Sequence, residues 1–99
     1  MTVAPFEAPK RQRPILMRQG ETYGIKLAAI HANRDEKTIR RWCKRYGISR
    51  QATKHSPVEV SALGLEMLIH GDLQTLELLR SGQDHHPDVM AYRVFLELE

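Results

Sequence analysis

The chain has 99 residues, 41% of them hydrophobic and 27% charged, which suits one folded domain with a modest core and excludes a deep enclosed active site. Its one cysteine, Cys43, excludes an internal disulfide and fits a reducing compartment, and no apolar run approaches the roughly 18 residues that cross a membrane. The net charge of +3 conceals a segregation: residues 10–54 hold thirteen Lys or Arg against three Asp or Glu, whereas residues 55–99 hold two against eight. Such a field draws a phosphate polyanion to one end of a molecule and repels it from the other.

Residues 1–14 contain three prolines and four charges of mixed sign without periodicity, and are expected to form a flexible basic arm. Lys10, Arg11 and Arg13 suit either contact with a phosphate backbone or minor groove, or a solubilising tail. The stretch MTVAPFEAPKRQRP has no apolar core of signal-peptide length, so a cytoplasmic location is expected.

The main domain is expected over residues 15–82. Ile15-Leu16-Met17 is a short apolar run suited to an extended piece or a first turn. A helix is predicted from about Tyr23 to Ala32, with Tyr23, Leu27 and Ile30 as its apolar stripe. Ala28, Ala29 and Ala32 lie beside that stripe and are small enough to let a second helix approach. Asn33 tolerates a left-handed turn, and Asp35 is a helix N-cap whose side chain can accept from the free N–H of Thr38. Two helices so closely joined have helix-turn-helix spacing.

In the second helix Ile39, Trp42, Cys43 and Tyr46 fall at i, i+3, i+4 and i+7, which is one face. Lys37, Thr38, Arg40, Arg41, Lys44 and Arg45 fill the other faces, and Gly47 stands where a helix stops. Lys44 and Arg45 in the last turn complement the macrodipole. An indole inside and a row of cations outside suit a helix that lies against DNA.

After Gly47, residues 48–51, 52–56 and 57–61 are predicted as strand, loop and strand, with Val58 and Val60 turned inward. Pro57 then belongs at a strand start or an edge. A hairpin behind a recognition helix is a wing, with Arg50, Lys54 and His55 in or near it; a plain polar loop is the alternative.

From Ser61 the helical period returns. Leu63, Leu65, Met67, Leu68 and Ile69 lead to Gly71, and Asp72 caps a further helix carrying Leu73, Leu76, Leu78 and Leu79. Residues 83–87 are expected to link, with Pro87 opening an apolar segment. That segment is either a last helix closing the core or a strip that buries itself on a neighbouring protomer. Residues 83–99 are the candidate oligomerisation element, with Val89, Tyr92, Phe95 and Leu96 as its contact residues. The expected fold is mainly α with a small β-hairpin wing: a winged helix-turn-helix with extra C-terminal helices.

No chemistry-bearing constellation competes with this reading. His70, His85, His86 and Cys43 lack metal-ligand spacing, and Cys43 lies on an apolar face as a small core residue rather than a nucleophile. Asp84 and Asp88 are loop and cap residues, and no glycine-rich phosphate loop occurs. Neither enzymatic activity, a cofactor nor a metal is expected.

Thr38-Ile39-Arg40-Arg41-Trp42, with Asp35 three residues earlier and a wing-like stretch after, resembles the excisionase or recombination directionality factor family. These are proteins similar to phage lambda excisionase, within the MerR-type winged helix-turn-helix branch, and the likeness runs from about Ile15 to Ile69. Ser61 to Asp72, with Leu79-Arg80-Ser81-Gly82, resembles small excisionase-like proteins of alphaproteobacterial integrative elements.

The resemblance implies a protein without enzymatic activity that works at the bacterial nucleoid. It would bind repeated sites on double-stranded DNA beside a recombination attachment site, self-associate along them, bend the DNA and steer a tyrosine-type integrase toward excision. Transcriptional regulation is a further implied role. Carried onto this chain, the recognition-helix positions are Glu36, Lys37, Thr38, Arg40, Arg41, Lys44 and Arg45, and the wing positions run from Arg50 through Lys54 to His55. Ile39 and Trp42 match core positions, whereas Arg34 stands where an aliphatic residue is usual.

The acidic C-terminal half complements the basic half of a second copy, and a head-to-tail contact of that kind does not close. Two other functions fit the same residues: a dimeric MerR-like transcriptional regulator, and an antitoxin-like or integrase-binding adaptor whose basic face meets an acidic protein without direct DNA binding.

Overall fold

A computed structural model of the chain describes residues 13–98; the arm expected over 1–14 therefore lies outside the described residues as far as residue 12. The described residues form β1 (Thr22–Tyr23), α1 (Ile25–Ala32), α2 (Glu36–Tyr46), β2 (Ser49–Arg50), β3 (Glu59–Ser61), α3 (Ala62–Ile69), α4 (Leu73–Arg80) and α5 (Pro87–Phe95). The fold is thus mainly helical with a small antiparallel sheet, in strand order β1-β3-β2.

The strand, loop and strand predicted over 48–61 are present as the β2–β3 hairpin, which pairs Ser49 with Val60 and Arg50 with Glu59. Val60 points into the core and Ile48, just before β2, is fully buried beneath it. The third strand, β1, pairs Thr22 with Ser61 and Tyr23 with Val60, so the predicted helix start at Tyr23 is corrected to Ile25. The strand is only two residues long and owes its conformation to β3, a partner almost forty residues away in sequence. No local pattern encodes such a pairing.

The buried face of α1 also differs from the predicted stripe. Leu27 and Ile30 are 60% and 67% exposed, while Ala28, Ala29 and Ala32 are buried. The close approach of α1 to α2 selects the small side chains for the contact and turns the larger ones outward. Asn33 takes the left-handed conformation (φ 57°) and ends α1, and the Arg34 N–H donates to Ala29 O at 3.0 Å. The Arg34 side chain lies exposed and donates to Asn33 O, so a charged residue at this position costs no burial.

Ile39, Ile48, Val60, Leu65, Met67, Leu76 and Val89 are the large, fully buried side chains of one core. Ser61 Oγ caps α3 by accepting from the Gly64 N–H at 2.9 Å. Gly64 lets α3 lie on Ile48: a Cβ there would stand 3.1 Å from Ile48 Cγ2. Asp72 caps α4 by accepting from the Thr75 N–H at 3.0 Å, as its position predicts, and Pro87 opens α5 at its first turn.

Helix α5 returns to pack on α3 and α4, so the last helix does close the core. One predicted contact residue is corrected by this: Val89 is fully buried inside its own subunit and offers no surface to a neighbour. Tyr92 and Leu96 are half-buried against the core, and Phe95 is 65% exposed, with its neighbour Val94 and, five positions earlier, Met90 also exposed.

The two arginines of the acidic half are both buried. Arg93 on α5 donates to Glu21 Oε2 at 2.7 Å and to Leu98 O at 3.2 Å. Arg80, at the end of α4, donates to Tyr46 O at 2.5 Å, to Arg13 O at 3.2 Å and to Glu77 at 3.3 Å. Each guanidinium fastens the C-terminal half to the basic half.

Candidate nucleic-acid interface

The candidate surface is the outer side of α2. The helix starts where Asp35 Oδ1 accepts from the Thr38 N–H at 2.8 Å. Hydrogen bonds from Thr38, through its side chain and then its backbone, hold the Asp35 carboxyl below the usual carboxylate range, helped by Arg41 and Lys37. Gly47 ends the helix with φ 65°, its N–H returning to Cys43 O at 2.9 Å.

The inward face is as predicted. Ile39 is fully buried, and Trp42, Cys43 and Tyr46 are half-buried against the core. Burial pushes the Cys43 thiol above its ordinary value, with Ser49 and Arg40 acting the other way, so the thiol stays protonated near neutrality.

Glu36, Lys37, Arg40, Arg41, Lys44 and Arg45 are exposed, and Thr38 is half-buried at the cap. Among the described residues, no ion pair engages Lys37, Arg40, Arg41, Lys44 or Arg45. The Arg45 guanidinium lies 5.4 Å from the centre of the Tyr46 ring, a cation–π contact that steadies it without consuming its donors. Five cations on three turns of one helix thus keep their hydrogen-bonding capacity for a ligand.

The hairpin divides its predicted residues. Lys54 and His55 stand exposed at the tip of the β2–β3 connection. That tip is held by its own side chains: Gln51 Nε2 donates to Ser56 O at 2.7 Å, and the Thr53 and Ser56 hydroxyls share a hydrogen bond of 2.8 Å. Arg50, by contrast, is committed within the molecule. Its Nε donates to Glu59, its partner across the strands, and its Nη1 donates to Met17 O at 2.7 Å. Arg50, predicted as a wing contact, instead joins the hairpin base to the segment before β1, whereas Lys54 and His55 stand exposed at the hairpin tip. The Arg50–Glu59 pairing was accessible from the hairpin register, since opposite charges directly across an antiparallel pair attract.

Arg80 is the residue that sequence reasoning missed. It accompanies the second resemblance but carries no periodic or motif signal, and its two carbonyl acceptors lie 34 and 67 positions away. By donating to Tyr46 O it occupies one of the carbonyls that a helix end leaves without a partner, and it sets positive charge at the negative end of the α2 dipole. With Arg80 and Arg93 buried, the exposed charges from α4 onward among the described residues are the carboxylates Glu77, Asp88 and Glu97, so the two charges are separated more sharply at the surface than in the composition.

A second unpredicted cluster surrounds Glu66, a carboxylate only 4% exposed on α3. Glu66 Oε1 lies 2.7 Å from His31 Nε2 on α1, and Oε2 lies 3.3 Å from His70 Nδ1. Tyr92 and Phe95 meet the His70 ring edge-on at 6.0 Å. The cluster joins α1, α3 and α5. Among the described residues, no group of three or more His, Cys, Asp or Glu is arranged to hold a metal ion, and no helix is long and apolar enough to cross a membrane.

The class these features define is a small helix-rich domain with an antiparallel sheet and one strongly cationic helix. Compared with known proteins, the chain matches no family model, no curated protein and no solved structure.

Proposed function

We propose that this chain is a winged helix-turn-helix DNA-binding protein of the excisionase type, which binds repeated sites, bends the DNA and directs a tyrosine-type integrase to excise a mobile element. The observation that carries the DNA-binding reading is the exposed row Lys37, Arg40, Arg41, Lys44 and Arg45, free of intramolecular ion pairs among the described residues. The excisionase assignment rests on the resemblance around Thr38–Trp42.

In this mechanism α2 enters the major groove with its N-terminal half deepest. Arg40 or Arg41 donates in bidentate fashion to guanine O6 and N7, worth about 1–3 kcal/mol of discrimination per base pair. Lys44, Arg45, Lys54 and His55 contact phosphates and fix the orientation of the domain. Neutralising on the order of five phosphates gives a log–log salt slope near −4 to −5.

One such module covers little DNA, so several copies act together. The exposed α5 residues Phe95, Val94 and Met90, near the acidic Asp88 and Glu97, complement the exposed α1 residues Leu27 and Ile30 near Lys26. Contact between these surfaces on successive copies extends along DNA rather than closing.

The test is a mobility-shift titration on duplexes of mixed sequence and on cloned attachment-site DNA, at low and moderate salt. Binding that weakens steeply with salt, and a stepwise ladder on directly repeated sites, are the expected results. A single step on an inverted repeat would replace the excisionase with a dimeric transcriptional regulator. No binding at low salt would leave an adaptor that meets acidic proteins.

A further inference from the structure

The cations of α2 fall into rows. At about 100° per residue, Arg40 and Lys44 share one flank of the helix, and Arg41 and Arg45 share the next. The flank with Arg40 and Lys44 borders an open groove of about 240 Å³, which Ile25, Cys43, Ser49 and Val58 also line. Arg41 and Arg45 are not among the lining residues. The groove thus lies between α2 and the β2–β3 hairpin, at the first residue of α1.

We propose that this groove is a clamp for the DNA backbone, in which Arg40 and Lys44 hold phosphate above an apolar seat for deoxyribose. This rests on the DNA-binding reading of α2 and deepens it: Arg40 serves the backbone, and base reading passes to Arg41.

The chemistry of the groove selects a sugar–phosphate unit. Its floor is half-buried and largely apolar, made by Ile25, Cys43 and Val58. Burial keeps the Cys43 thiol protonated, so it adds no negative charge. A floor of that kind suits the carbon face of a sugar, which a bare inorganic anion lacks. The rim carries two exposed cations four positions apart, neither in an ion pair among the described residues, and no carboxylate lines the groove. Ser49, which begins β2, lies within hydrogen-bond reach of the Cys43 thiol and supplies a hydroxyl of the kind that contacts phosphate oxygens. The groove is also smaller than the roughly 300–1,000 Å³ of pockets that enclose a small ligand. A backbone held on this flank leaves the Arg41 row to face the base edges.

The experiment uses the full chain, with affinity for labelled mixed-sequence and attachment-site duplexes measured by anisotropy over a salt series. Urea stability is measured in parallel. The double replacement Arg40→Gln with Lys44→Gln is expected to weaken binding to both duplexes by the same factor, about tenfold, and to make the salt slope shallower by about one to two. The urea midpoint is expected to stay in place, since both side chains are exposed. Cys43 gives a second readout, its alkylation rate in mildly alkaline buffer. Saturating duplex is expected to slow that rate about tenfold or more, and to slow it less in the double variant, once enough duplex is added to keep that variant bound.

An Arg40→Gln loss confined to attachment-site DNA would overturn the clamp and return Arg40 to base reading. An unchanged affinity and slope in the double variant, or a Cys43 that reacts equally fast in the bound protein, would overturn the clamp while α2 still binds. Equal protection of Cys43 by inorganic phosphate at matched ionic strength would overturn the sugar–phosphate assignment. Failure of the unaltered protein to bind either duplex at low salt would overturn the DNA-binding reading itself.

Discussion

Arg41 and Ile39 lie two positions apart on α2 and should fail in opposite ways when truncated. Ile39 is fully buried, so Ile39→Ala removes buried methyl groups and leaves a cavity, costing about 2–5 kcal/mol in a urea melt. Arg41 is exposed and engaged in no ion pair among the described residues, so Arg41→Ala should leave stability within about 0.5 kcal/mol. It should instead weaken binding to the specific site far more than to mixed-sequence DNA, and equal loss on both would remove its base-reading role. Tyr92 offers a pH test. Burial, then the hydrogen bond to Asp72, raises its phenol from 10.0 to about 12. A raised pKa keeps its full stabilisation below the unfolded value and loses it as pH climbs through the folded one. Stability should therefore fall between about pH 10 and pH 12. Asp72→Ala should bring the phenol part of the way back toward 10.0, readable by ultraviolet titration.

At the scale of elements, legibility followed the range of the interaction that makes each one. Asp35, Asp72 and Pro87 announce α2, α4 and α5 because a cap is a contact between residues two or three apart. The β2–β3 hairpin was legible from its alternation, and β1 was not, because its conformation comes from a distant partner. The outer face of α2 could be read from periodicity alone, and Arg50 had a visible partner in Glu59 across the hairpin, whereas Arg80 could not be told from a free cation without its distant carbonyl acceptors. In α1 the larger Leu27 and Ile30 suggest the buried stripe, whereas the alanines beside them, small enough to admit a second helix, are the residues that are buried. That contact is testable. Ala28 is fully buried, so Ala28→Leu should overpack the joint and cost about 1–3 kcal/mol. The half-buried Trp42 should report it by a shift in fluorescence, and an unchanged stability would mean that α1 is not tightly seated.

For the whole molecule, the proposed function calls for two surfaces of opposite character held on one core. The cationic side is α2 with the hairpin tip, and the acidic side carries the exposed apolar residues of α5. Phe95→Glu should abolish stepwise cooperative binding on repeated sites while leaving affinity for a single site within about twofold, because an exposed substitution far from α2 spares the fold. Cooperative shifts that persist in Phe95→Glu would remove α5 from the assembly. Deleting α5 is not an equivalent experiment, because Val89 and Arg93 belong to the interior.

The same dependence on α5 has a consequence during synthesis. A nascent chain that has reached Gly82 already bears the exposed cations of α2 and the hairpin tip, yet it lacks the side chains of α5 that complete the hydrophobic interior behind them. As those cations emerge from the exit tunnel they face the polyanionic ribosome on an unfinished fold. Ribosome-bound chains stalled at Gly82 should therefore be digested readily by protease, and protection should appear only when Val89 and Arg93 have left the exit tunnel.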